Sequence, residues 1–251
     1  MTTPMSIGEL PQVYAAVLAF LNDILWNDRR NADNCAWLIA GCIHSRRCSV
    51  VDWVSGRLSK ATTANSREIQ GYRFLKNENV VCDDIYSRLV FKALKSWGKH
   101  RLILALDTSM LFTQFCLIRI NILFRGRAVP LCQTVIEHGS AQVSFAQLLP
   151  LIARAKGILD ALGITNVRFL ADRGFCDVEL MNWLLAWGWH FRIRIKSSLL
   201  LADAQGRHLC RLHQIRLAAG ESQFHHNVTL TAKHFSPVYL TLGHPTDDSE
   251  Q

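Results

Sequence analysis

Apolar residues recur at i, i+3, i+4 and i+7 along the start of the chain, through Leu10, Val13, Tyr14, Val17, Leu18, Leu21, Ile24 and Leu25. That spacing lines one face of a helix. A second helix is predicted over residues 32–46, with Trp37, Leu38 and Ile43 inward, and a third over 49–58. A polar stretch over 59–65 reads as a turn, after which Ser66 caps a fourth helix whose first core residue is Ile69. A fifth spans 80–97, with Asp83 and Asp84 in its first turn, where the helix dipole favours anions, and Lys92, Lys95 and Lys99 towards its end.

The pattern changes at Trp97-Gly98. Residues 102–106 form a short apolar run, 115–124 alternate, and 128–136 follow with Pro130 as a blemish that favours an edge or a bulge. Short turns join the three runs into an antiparallel meander. A helix over 144–161 turns Leu148, Leu149, Ile152, Ala155, Ile158, Leu159 and Leu162 inward and stops at Gly163. A strand over 167–171, a helix over 177–187 and an alternating strand over 189–196 complete the order β-β-β-α-β-α-β. The expected fold is α/β, with a mixed sheet over 99–198, an all-α domain over 1–98 before it and a β-rich insert over 199–251 after it. The insert is read from short alternating runs at 209–215, 228–232 and 238–242.

Composition narrows the class. Of 251 residues, 49% are hydrophobic and 19% charged, so the chain has a core and is not disordered. The net charge of +8 favours a polyanionic partner. The excess is local: between Arg46 and Arg101 there are 12 Lys and Arg against 5 Asp and Glu, a surplus of 7. The alternative for such a block is a solvated face. None of the eight cysteines sits in a C-x-x-C pair, and Cys35, Cys42, His44 and Cys48 follow no zinc spacing, so the cysteines read as reduced, mostly buried core thiols. The first 25 residues carry Glu9, Asn22 and Asp23 and do not read as a secretory segment. No apolar run reaches the about 18 residues of a membrane helix. A soluble, cytoplasmic protein with no membrane contact is expected.

Two of the apolar strands end in a carboxylate: Leu102-Ile103-Leu104-Ala105-Leu106 runs into Asp107, and Val167-Arg168-Phe169-Leu170-Ala171 into Asp172. An aspartate that abuts a buried strand is in an unusual place unless it is paired or holds a metal. On neighbouring strands the two would offer hard oxygen ligands suited to Mg2+ or Mn2+. The competing reading is that each caps the turn that follows it.

These elements, in this order, resemble the RNase H-like fold of DDE transposases and retroviral-type integrases. More narrowly, the chain resembles transposases of bacterial insertion sequences with a β-rich insert before the third catalytic acid. The stretch Arg67-Glu68-Ile69-Gln70-Gly71-Tyr72-Arg73-Phe74-Leu75-Lys76-Asn77 looks like the arginine–aromatic–Asn helix of that family's DNA-binding domain. Leu104-Ala105-Leu106-Asp107-Thr108-Ser109 looks like the strand with the first acid, Ala171-Asp172-Arg173-Gly174-Phe175 like the second, and Phe191-Arg192-Ile193-Arg194-Ile195-Lys196 like the basic strand that follows. The resemblance covers roughly residues 50–240. The family's third acid, a Glu in a Tyr-x-x-Arg-x-x-x-Glu helix, has no counterpart here; Glu137 and Glu179 are out of order and read as surface carboxylates. A chain cut inside the insert, catalytically incomplete, is expected.

The resemblance implies two-metal cutting and joining of DNA, with Asp107 and Asp172 as catalytic and metal-ligating residues. It implies that Arg67, Arg73, Lys76 and Asn77 contact terminal-repeat DNA, Arg73 as a candidate for base readout. Arg173 would hold a phosphate, or else bridge to Asp172. Arg192, Arg194 and Lys196 would line the DNA path, or else form the wet face of an edge strand. The implied partners are double-stranded DNA and a second copy on paired ends. Two other readings stand beside it: a non-catalytic DNA-binding fragment that inhibits a full-length relative, and an RNase H-like nuclease that uses only the acids present.

Overall fold

The structure is a computed structural model that describes residues 9–56, 63–97, 101–203, 205–230 and 235–244. Leu58, most of the predicted turn at 59–65, Gly98, Lys99, Ala232 and the end from residue 245 lie outside the described residues. The chain divides into two compact units, Met1–Ser96 and Trp97–Gln251.

The first unit is helical: α1 (Leu10–Leu21), α2 (Arg29–Ser45), α3 (Val50–Ser55), α4 (Ala64–Leu75) and α5 (Cys82–Trp97). α1 stops at Leu21, so Ile24 is buried from the following loop and Leu25 faces solvent. Asp28 caps α2 by accepting the Arg30 N–H at 2.8 Å. Leu21, Ile24, Cys35 and Ala36 form one small core, and Leu38, Val50 and Val54 another; Phe74 of α4 packs against both. The start of α4 corrects the sequence reading, because Thr63 is the cap and accepts the Ser66 N–H at 3.2 Å. Ile69 is 41% exposed and Ile43 also faces solvent. The side of α4 that seats is the one with Gly71, where a Cβ would come within 2.7 Å of Val50 Cγ1. A side chain is missing there, so no apolar residue announces the face.

The second unit holds two sheets. β1 (Leu102–Leu111), β2 (Phe115–Phe124) and β3 (Arg127–Glu137) form the antiparallel meander. After α6 (Phe145–Ala161), β4 (Val167–Ala171) adds parallel to β1; after α7 (Val178–Ala186), β5 (His190–Ile193) adds parallel to β4. The sheet order is β3-β2-β1-β4-β5, a mixed sheet in a mixed α/β unit. Ser144 and Gln147 close a capping box at the start of α6, and Asp177 caps α7 through the N–H groups of Glu179 and Leu180. Pro130 sits on the edge strand at a register shift: Ile120 faces Cys132 and Asn121 faces Pro130, leaving Leu131 as the extra residue. Leu131 and Cys132 are consecutive and both buried, as a bulge allows.

One face of this sheet is apolar and fully covered, with Leu104, Ile118, Ile120 and Phe169 all at 0% exposure. α6 reaches it at Cys132, whose thiol meets the Leu151 carbonyl at 3.6 Å. α7 is tied to it through Trp183, Trp187, Trp189 and Phe169 in ring contact, and Trp183 also meets Phe145 of α6. On α6, Leu151 is buried although the helical spacing omits it, and Leu149, Ile158 and Leu162 are only half-buried.

The second sheet is β7-β6-β8-β9, all antiparallel, from β6 (Leu200–Ala202), β7 (His208–Arg211), β8 (Ser222–Leu230) and β9 (Phe235–Gly243). Leu201, Leu212, Val228, Leu230 and Leu240 give it its own core. The run predicted over 209–215 divides into β7 and a 3-10 turn, and β6 carries no alternation that marks it in the sequence.

Candidate functional site

Side-chain direction alternates along a strand, and residues in register on paired strands point the same way. Leu106 and Ala171 are the last parallel pair of β1 and β4, so Asp107, within β1, and Asp172, just past the end of β4, each follow directly on that pair. Asp107 is not past the end of its strand as the apolar run suggests. β1 continues to Leu111, and Asp107 still pairs with Arg119 of β2; what ends there is the neighbour on the β4 side. The two aspartates share the face opposite α6 and α7. On that face the same alternation places Arg119, Arg168, Arg192 and Arg194.

Each carboxylate has its own arginine. Arg119 Nη2 lies 3.6 Å from Asp107 Oδ2 and donates to Ser109 Oγ at 3.2 Å. Arg194 Nη1 lies 3.9 Å from Asp172 Oδ1. Both aspartate side chains are 60% exposed, so neither is the buried carboxylate that demands a metal for its own stability. Asp172 also caps the 3-10 turn Arg173–Phe175 by accepting the Arg173 N–H at 2.6 Å. The capping reading therefore holds for Asp172, without consuming its second oxygen. The bridge to Asp172 comes from Arg194 and not from Arg173, whose side chain is exposed with no ion pair among the described residues. Behind the turn, burial pushes the Cys176 thiol up, against the opposing charge of Lys196.

Arg192, Arg194 and Lys196 are all exposed, on alternate positions at and beyond the edge strand β5. In the helical unit, Arg73 on α4 and Lys76 at its C-cap are exposed, beside Ile69 and Tyr72 at helical spacing. Arg67 and Asn77 are tied into the protein instead: Arg67 Nη1 donates to the Ser55 carbonyl at 3.3 Å, and Asn77 donates to Asn31 Oδ1 at 3.2 Å and accepts the Asn79 N–H.

Among the described residues no group of three His, Cys, Asp or Glu side chains is placed to hold a metal. Glu137 and Glu179 are exposed. All eight cysteines are free; Cys35, Cys116 and Cys132 are buried, whereas Cys48 and Cys82 are exposed and the rest intermediate, so the thiols are less uniformly core than hydropathy suggests. No described helix is long and apolar enough to cross a membrane. Two residues on the open face escape the sequence reading. Arg119 is visible only as the cross-strand partner of Asp107, and Asn121, 7% exposed, sits at the β3 bulge.

No family model matches the chain, and no curated protein matches it. Among solved structures it is similar to a Ppx/GppA family member from Aquifex aeolicus, at 6% identity over 58% of this chain and 52% of that one, with a TM-score of 0.22. It is also similar to the foamy viral protease-reverse transcriptase in complex with dsDNA, at 15% identity over 78% of this chain and 42% of that one, with a TM-score of 0.21. The chain thus spans about half the length of these structures or less. Likeness at this level carries no argument, and the architecture rests on the chain's own geometry: a mixed α/β unit whose five-stranded sheet brings two aspartates together on an arginine-lined face.

Proposed function

We propose that this chain is a DNA-binding protein of RNase H-like architecture, related to DDE transposases, whose sheet carries two of the acids of a phosphodiester-cleaving site. The observation that supports it is the register of β1 and β4, which sets Asp107 beside Asp172 on one face. The order β-β-β-α-β-α-β and the following β-rich sheet are those the family resemblance implies.

Two carboxylates on adjacent strands fit one hard divalent cation, Mg2+ or Mn2+, which takes one or two carboxylates and completes its shell with water and substrate phosphate. They do not fit a closed two-ion cage, because a second ion needs the third acid. Such a cation, when bound, supplies Lewis acidity at a phosphodiester oxygen. The chain's own residues supply the rest. Arg119 holds the Asp107 carboxylate from the neighbouring strand, while Arg194, 82% exposed, is free to leave Asp172 and meet a phosphate. Arg73 of α4 and Lys76 at its C-cap contact the duplex, Arg73 by the guanidinium geometry that reads a guanine edge.

The reading of a non-catalytic DNA-binding fragment is favoured by one observation, the lack of a third ligand among the described residues. Both readings expect duplex binding that weakens with salt. They part over metal. Mn2+ binding followed by its electron paramagnetic resonance signal, with and without duplex, is expected in the wild type and is lost in Asp107→Asn and Asp172→Asn, while DNA affinity persists. Mn2+ binding untouched by both substitutions would remove the catalytic ancestry from the proposal, and absence of DNA binding at low salt would remove the proposal itself.

A further inference from the structure

Parallel pairing of β4 with β5 sets Arg168 opposite His190 and Leu170 opposite Arg192. Alternation then gathers Arg168, His190 and Arg192 on the face that carries Asp172. With Phe191 they line a shallow cavity of about 200 Å³. His190 and Arg192 are exposed and Arg168 is half-buried. Among the described residues no carboxylate lies within ion-pair range of either arginine, in contrast to Arg119 and Arg194 on the same face. A cavity walled by three nitrogen donors, with no internal counter-charge, has the chemistry of an oxyanion site, since guanidinium groups match tetrahedral phosphate in geometry and charge.

We propose that Arg168, His190 and Arg192 form a phosphate subsite separate from the aspartate pair. Asp172 lies four positions beyond Arg168, roughly 13 Å at about 3.3 Å per residue. Resting on the function proposed above, the subsite takes a backbone phosphate that flanks the one presented to Asp107 and Asp172. It anchors the strand without touching the reacting atoms, so its residues are positioning residues. Free inorganic phosphate shares the chemistry and is the other source the site would accept.

The test uses the whole chain with Arg168→Gln and Arg192→Gln combined, with Arg168→Lys and Arg192→Lys combined as the charge-retaining counterpart, and with Arg216→Gln as an exposed control elsewhere. Binding of a fluorescein-labelled duplex is measured by anisotropy across a salt series. Each phosphate contact contributes about 0.9 to the slope of log affinity against log salt. The double Gln variant is expected to lower that slope by about 1–2 and to weaken binding at low salt about tenfold or more. The Lys pair is expected to restore most of the slope, and Arg216→Gln to leave it unchanged. A slope equal to wild type in the double Gln variant overturns the subsite. Thermal shift with inorganic phosphate against chloride at matched ionic strength separates this failure from failure of the DNA reading. If the wild type binds no duplex but phosphate raises its melting temperature, and the Gln pair abolishes the rise, the subsite stands as a free-anion site. If phosphate protects neither protein and no duplex binds, the subsite is overturned.

Discussion

Among the described glycines of the helical unit, Gly41 has the least room for a side chain. It lies inside α2, and a Cβ built there would stand 1.9 Å from the Trp53 carbonyl oxygen and 2.7 Å from the Trp53 Cα, both backbone atoms of α3. An ordinary carbon–oxygen contact is about 3.3 Å, so Gly41→Ala forces α3 away by about 1.4 Å. Retreat of that size strips Val50 and Val54 from Leu38, because a gap of about 0.5–1 Å already forfeits a quarter to a half of the dispersion well. Overpacking costs about 1–3 kcal/mol, and the upper part of that range applies where the obstacle is backbone. Against it stands the gain of about 1 kcal/mol for replacing Gly by Ala inside a helix. The expected net effect is a loss of about 2 kcal/mol, enough to change the folded-to-unfolded ratio about 30-fold. Gly157 of α6 is the matched control, since a Cβ there meets nothing within 4 Å. Gly157→Ala is expected to stabilise by about 0.5–1 kcal/mol. Urea unfolding followed by far-ultraviolet circular dichroism reads both. Because α3 also seats Gly71 of α4 through Val50 and Val54, Gly41→Ala should cost duplex affinity as well. A midpoint that rises for Gly41→Ala as it does for Gly157→Ala would refute the close approach of α2 and α3.

Asp177→Ala removes the acceptor of two N–H groups at the start of α7, at 2.7 and 3.3 Å, and should lower stability by about 1 kcal/mol in the same urea assay. Alkylation followed by mass spectrometry should label Cys48 and Cys82 first and Cys35, Cys116 and Cys132 last, following exposure. Burial pushes the Cys35 thiol from 9.0 up to about 11, with a smaller contribution from Cys82. Because the folded value is the higher one, the stability tied to that neutral thiol is present below pH 9 and lost as pH rises towards 11; Cys35→Ser should flatten that part of the stability–pH curve.

Local patterns in the sequence determined most of the elements, because periodicity and capping are properties of neighbouring residues. The alternation of 115–124 and the apolar run of 167–171 mark β2 and β4 to the residue, and the helix read over 144–161 is α6 to within one residue. Pro130 announced an edge or a bulge because a missing N–H cannot join a ladder, and β3 has both. Asp107 and Asp172 were legible as carboxylates that follow apolar runs, although β1 continues past Asp107 to Leu111. What no local pattern contains is which strands lie side by side and what fills the space between. Register put Asp107 and Asp172 directly after the same strand pair, and packing gave each its arginine, one from β2 and one from beyond β5. The same holds for Arg168, an unremarkable residue on a buried strand until β5 sets His190 and Arg192 against it. On α4 the reading by apolar spacing failed at Ile69, since the seated face is the one with Gly71, where closeness and not hydrophobicity makes the contact. Periodicity reports which side of an element prefers to leave water, and only packing decides what it meets there.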